Sequence, residues 1–173
     1  GSEMCIRDST KSQQRPGPYP VITSAGVTSY HDEYKKQGPG VVIGRSGTLG
    51  KVHYVEEPYW PHNTSLFVKD FKGNNPRYVY YFMQLMLLDR MNAGGATPTL
   101  NRNHIHAIKI KIPPLPIQNK IAEHLTRYDQ LISNNKQRIQ LLNEAIDILY
   151  NEWCVNLRYP NQNLANSSGI PPG

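Results

Sequence analysis

Apolar positions change their spacing twice along this chain, and those changes divide it. From Tyr19 the runs YPVITS, VVIGRS, KVHYVEE and TSLFVKD are short and rich in Val, Ile, Tyr and Thr, which predicts strands. Gly26, Gly38, Gly40, Gly44, Gly47 and Gly50 punctuate them as turns. In NNPRYVYYFMQLMLLDRMNAGG the period becomes three to four. Asn75 reads as a helix cap, Pro76 suits the first turn, and Gly94 can end the helix. Tyr78, Phe82, Leu85 and Met86 form its packing face. Residues 105–112, IHAIKIKI, alternate again and predict a half-buried strand, with His104 and His106 on one face. The fold class expected is α+β: a mixed α/β body over residues 19–112, then one long helix.

That helix occupies residues 113–158, with Pro116 in its first turn. Leu125, Tyr128, Ile132, Asn135, Ile139, Leu142, Ile146, Leu149 and Trp153 alternate three and four apart, the seam of a coiled coil with Asn135 as its polar member. Such a helix is about 60 Å long, against a radius of gyration near 12 Å for a body of that size. Its seam is therefore expected to need a partner helix, and a spacer role follows. Residues 1–18 carry no hydrophobic period and read as a disordered or non-native lead.

Composition narrows the class. No run of eighteen apolar residues exists and no signal pattern opens the chain, so a cytoplasmic protein without membrane contact is expected. Cys5 and Cys154 lie at opposite ends and read as unrelated thiols. The net charge is +6. Residues 19–112 hold eleven Lys and Arg against six Asp and Glu, while residues 113–158 hold five of each. The basic surplus belongs to the body, which suits a polyanion partner.

GRSGTLGK (residues 44–51) fails the phosphate-loop pattern, because Arg45 replaces the first glycine and Val52 the magnesium-binding Ser/Thr. Its Arg45, Ser46, Thr48 and Lys51 fit contact with nucleic acid, or a plain hairpin turn. NPRY at residues 75–78 departs by Arg77 from the NPPY-type motif of amino-methyltransferases, and no glycine-rich cofactor loop precedes it. Glu33-Tyr34-Lys35 has no upstream carboxylate outside the lead, and His104 and His106 have no Cys or carboxylate at ligand spacing, so neither a nuclease nor a metal site is expected. In GGATPTLNRNHI, Thr97, Thr99, Asn101 and Arg102 are side chains that read base edges, or an ordinary polar connection. Ser24, Thr28 and Tyr30 supply a third candidate contact.

The order YPVITSAGVTSYHDEY, VVIGRSGTLGKV, NPRYVYYF, GGATPTLNRNHI, IPPLPIQNKIAEHL and LYNEWCVNLRYPNQ resembles the specificity subunit of Type I restriction–modification enzymes, from about Pro18 to Pro160. The resemblance implies a non-catalytic target recognition domain that reads half of a split double-stranded DNA site. It further implies a spacer helix that pairs in an antiparallel coiled coil and docks the modification and restriction subunits. S-adenosylmethionine, ATP and Mg would then belong to those partners, with no cofactor in this chain. Ile117 departs from the Glu common before the family's Gln, here Gln118. The family's opening segment is missing or replaced by the lead, and the tail ANSSGIPPG within residues 159–173 resembles a linker into a second recognition domain, so the chain reads as the first half of a longer subunit, expected to dimerise on its own. A solitary methyltransferase or nuclease and a coiled-coil adaptor are the other classes open.

Overall fold

The computed structural model describes residues 4–5, 15–91 and 98–160. Its elements run β1 (Met4–Cys5), β2 (Tyr19–Thr23), β3 (Gly26–His31), β4 (Gly40–Gly44), β5 (Val52–Val55), β6 (Trp60–Pro61) and β7 (Ser65–Val68). Helices α1 (Pro76–Leu85), α2 (Arg102–Ala107) and α3 (Leu115–Tyr150) follow. Two compact units, Gly1–Leu125 and Thr126–Gly173, divide the chain.

In the first unit β4 lies between β5 and β7, antiparallel to both. Met4–Cys5, from the lead set aside on sequence, pair antiparallel with β7 at the sheet's edge. The second sheet pairs β2 antiparallel with β3 and parallel with β6. Every residue of β4 is buried. Side chains alternate faces along a strand, and the two cores follow that alternation. Val41 and Ile43 join Val52, Leu66, Val68, Met83, Leu88, Leu100 and Ile105, while Val42 joins Ile22, Val55, Tyr59 and Phe67. A strand covered on both faces is a continuous apolar run, which explains VVI.

Tyr59 shows how tightly the second core closes. A methyl added at Gly40 would stand 2.4 Å from its ring. Burial pushes the Tyr59 phenol up to about 12 from 10.0. A raised phenol favours the folded state while neutral, so this contribution is intact below about pH 10 and lost as pH climbs toward 12. The difference amounts to about 3 kcal/mol. Absorbance titration of the phenolates should show one tyrosine ionising last, together with unfolding; complete ionisation near pH 10 in folded protein would contradict the burial.

Two expectations need correction. Residues 105–112 do not form a strand. Asn101 caps α2 instead, its side chain accepting from the Asn103 N–H at 3.0 Å and its carbonyl from the His104 N–H at 3.1 Å. That local capping overrides the alternation, so His104 and His106 lie exposed on a helix and, within the stretch, Ile105 alone is buried. Helix α1 begins where expected, the Asn75 side chain accepting from Tyr78 N–H at 3.0 Å. It stops at Leu85, however, and Leu87 turns through the left-handed region (φ 47°) into a 3-10 turn at Leu88–Arg90. Leu85 is 78% exposed, and Tyr78 and Met83 are the buried side chains, with Val79 and Met86 packed beside the core. A run such as MQLMLL, apolar but for Gln84, does not encode its own phase.

The division between units falls inside α3, because Gln118 and Ala122 are buried in the first. Gln118 is fully engaged there: Oε1 accepts from the Asn75 N–H at 2.9 Å, and Nε2 donates to Asn74 Oδ1 at 2.8 Å and the Pro113 carbonyl at 2.9 Å. Asn75 Nδ2 adds a bond to Asn119 Oδ1 at 2.8 Å. In the second unit Tyr128, Ile132, Ile139, Leu142, Ile146 and Leu149 are 43–64% exposed, and Asn135 is exposed among them. The α-helix gives way to a π-helical turn at Asn151–Val155. Trp153, the last seam position, lies on that turn and packs on Tyr159 with ring centroids 5.1 Å apart. No helix among the described residues is long and apolar enough to cross a membrane.

Candidate nucleic-acid interface

The candidate contact residues come from three segments distant in sequence, and the body brings all three together. The first is the turn between β2 and β3, where Thr23 Oγ1 donates to the Gly26 carbonyl at 3.0 Å and accepts from the Ala25 N–H at 3.3 Å. The second is the loop from β4 to β5. The third returns from residue 98 into α2.

Gly44 permits the first approach. A methyl on it would lie 2.0 Å from the Thr48 carbonyl and 3.2 Å from the Ser24 carbonyl, so the loop folds back over the end of β4 only because that atom is missing. Lys51 Nζ donates to the Ala25 carbonyl at 3.4 Å, and His53 Nε2 donates to the Ser24 carbonyl at 3.2 Å. The third segment joins through the Leu100 N–H, which donates to the Arg45 carbonyl at 2.8 Å, and through a bridge between Ser46 and Thr99.

A residue that sequence reasoning passed over stands at the centre. The Thr64 carbonyl accepts from the Arg45 N–H at 2.9 Å and the Ser46 N–H at 3.2 Å. Its Oγ1 accepts from the Ser24 N–H at 3.3 Å. The only signal for it was a polar turn, HNTS, between apolar strands, the kind in which hydroxyls bond nearby backbone. His53, also passed over, has its pKa lowered: burial is the main cause, Lys51 adds to it, and the Ser24 carbonyl bond opposes it. The neutral ring therefore contributes shape here, and Lys51 the charge.

Individual positions separate into supports and surfaces. Ser24 is buried, so its backbone serves as framework. Asn101 is exposed, yet its side-chain oxygen is committed to capping α2. Arg45, Ser46 and Thr99 are half-buried, whereas Thr48, Lys51 and Arg102 are exposed. Thr28 and Tyr30 are exposed on β3, but Tyr30 pairs opposite Pro20, roughly 13 Å along the strand from the turn. A groove lined by Thr23, Thr28, Tyr30 and His62 lies along that hairpin. Thr97 lies outside the described residues. Elsewhere, Arg77, the residue that breaks the NPPY pattern, stacks 3.8 Å over the Tyr54 ring and pairs with Glu56. Among the described residues no three His, Cys, Asp or Glu side chains gather as a metal site.

The chain thus presents charged, hydroxyl-bearing loops held by backbone bonds on a small α+β body, with a long helix following in sequence. The Type I restriction modification DNA specificity domain matches residues 3–144, and the chain belongs to that family. It is 27% identical over 158 residues to S.MpnORF285P of Mycoplasma pneumoniae, provisionally named a type I specificity subunit, covering 83% of this chain and 52% of that protein. It is 25% identical over 117 residues to the EcoprrI specificity subunit of Escherichia coli, covering 67% of this chain and 29% of that one. The fold matches the S subunit of a Type I restriction-modification system from M. genitalium with a TM-score of 0.71 at 14% identity, over 87% of this chain and 42% of that one. The chain thus spans about half the length, or less, of these relatives.

Proposed function

We propose that the first unit reads one half of a bipartite duplex DNA site, as the recognition part of a Type I specificity subunit in the cytoplasm. The observation that carries this reading is the convergence of three segments, two of which bear Arg45, Lys51 and Arg102 with the hydroxyls of Ser46, Thr48 and Thr99, while the third, the β2–β3 turn, joins them through its backbone. Cations on a surface of this kind meet phosphates, while Arg and short polar side chains meet base edges. The chain itself is non-catalytic in this reading. Methyl transfer and cleavage, with their S-adenosylmethionine, ATP and Mg, reside on modification and restriction subunits. The exposed seam of α3 pairs with a second spacer helix, in the whole subunit or from another copy of this chain.

Binding to duplex DNA tests the reading. If Arg45, Lys51 and Arg102 displace about three counterions, affinity should fall about 40-fold between about 50 and 200 mM salt. Arg45→Ala should relax preference at one base pair, by about 1–3 kcal/mol if its contact is bidentate. Lys51→Ala should instead weaken all sequences alike. Affinity indifferent to salt, or two variants that behave identically on every sequence, would remove the 44–51 loop from the reading surface.

A further inference from the structure

We propose that Thr64 is the positioning residue for sequence discrimination: it sets the DNA-reading loops in register without touching DNA. The inference rests on the DNA-recognition reading above and adds to it the device that makes the reading selective.

The hydrogen-bond directions around Thr64 leave one arrangement. Its backbone N–H, which can only donate, points at Nδ1 of His62 at 3.3 Å. Nδ1 is therefore an acceptor, and the imidazole proton sits on Nε2. The Thr64 hydroxyl, 3.0 Å from that same Nδ1, must then donate to it. Its oxygen keeps a lone pair for the Ser24 N–H at 3.3 Å. One hydroxyl thus ties the β2–β3 turn to His62, and the same residue's carbonyl ties down Arg45 and Ser46. Through Arg45, whose carbonyl receives the Leu100 N–H, the tie extends to the third segment.

The turn that carries Thr64 is itself fixed. The single Ser65 hydroxyl proton is shared between the His62 carbonyl at 2.7 Å and the more distant Ile22 carbonyl at 3.2 Å, and the His62 N–H donates to the Ile22 carbonyl at 2.9 Å. Residues 62–65 therefore form a rigid post between β6 and β7, and the loops hang from it by backbone groups. A bidentate base contact needs its side chain held within a fraction of an ångström. Phosphate contacts tolerate far more play. Loosening the post should therefore erode discrimination while leaving general DNA affinity nearly intact, a split that simple loss of fold would not produce.

The decisive comparison is Thr64→Val against Thr64→Ser in this chain. Both keep the backbone carbonyl, but only serine keeps the hydroxyl. Each is used to select from a randomised duplex library at fixed salt, with unfolding temperature and the salt dependence of binding recorded in parallel. Thr64→Val should favour the wild-type motif over single-base variants about tenfold less than the parent does, with an unchanged salt slope. Thr64→Ser should stay within about twofold of the parent. If Thr64→Val does not fold, His62→Leu removes the ring acceptor and His62→Asn can replace it; the leucine variant should lose discrimination and the asparagine variant retain it. A Thr64→Val chain, or failing that a His62→Leu chain, that enriches the parent motif as strongly as wild type overturns the proposal. Wild-type protein that binds with a normal salt slope but enriches no motif removes sequence reading itself, and the proposal with it.

Discussion

Gln118→Leu should lower the stability of the first unit by about 3–5 kcal/mol, although leucine nearly matches glutamine in volume. The cause is polar. Gln118 is 2% exposed, and its amide satisfies the Asn75 N–H, the Asn74 side-chain oxygen and the Pro113 carbonyl together. Removing the amide strands those half-buried groups, and each unmade bond costs about 1–3 kcal/mol where neither water nor rearrangement rescues it. The Asn75 cap of α1 and the first turns of α3 share this knot, so both should fray together. Denaturant unfolding of parent and variant measures the loss; a change below about 1 kcal/mol would mean that water replaces the amide readily.

Ile139→Glu with Leu142→Glu should abolish self-association of this chain. Both side chains are about 60% exposed in the single chain, 59% and 62%, and the seam they belong to is the surface a second helix would cover. Two carboxylates placed in such an interface cost several kcal/mol, enough to weaken association roughly a thousandfold. Light scattering at tens of micromolar should report a dimer for the parent and a folded monomer for the variant. Asn135→Leu should act in the other direction, tightening association while loosening its register. A parent chain that remains monomeric at high micromolar concentration, with the amides of α3 strongly protected from exchange, would sink the pairing.

Much of the body was legible because β-branched runs and glycine punctuation agree with each other. Strands β2, β5 and β7 lie within the runs YPVITS, KVHYVEE and TSLFVKD, and β4 begins one residue ahead of VVIGRS. The Asn75 cap was legible for the same reason: Asn, Pro and a change of period coincide. Residues 105–112 were misread because two local signals conflict there, an alternation that favours a strand and, just upstream, an Asn101 cap that favours a helix. The cap prevailed, and the exposed Ile110 and Ile112 show that no sheet neighbour was present to reward the alternation. The candidate loops could be named, but not the way they are joined. Thr64 and Gln118 act through backbone N–H and carbonyl groups tens of residues away, and those partners leave no mark on composition or period.

Strand β4 bonds to neighbours on both sides and is covered on both faces, so its amides should exchange with solvent only when the whole first unit opens. Strand β5 lies at the sheet's edge, and its amides should exchange sooner. The 44–51 loop is therefore rooted at its start in the slowest-exchanging strand of the unit and at its end in a faster one. Substitutions at its exposed positions Thr48 and Lys51 cost the fold little, whereas Gly44 at the root admits no replacement without displacing Thr48. On the reading proposed above, a lineage could alter its target by rewriting exposed loop positions such as Thr48, with the strand that anchors the loop left untouched.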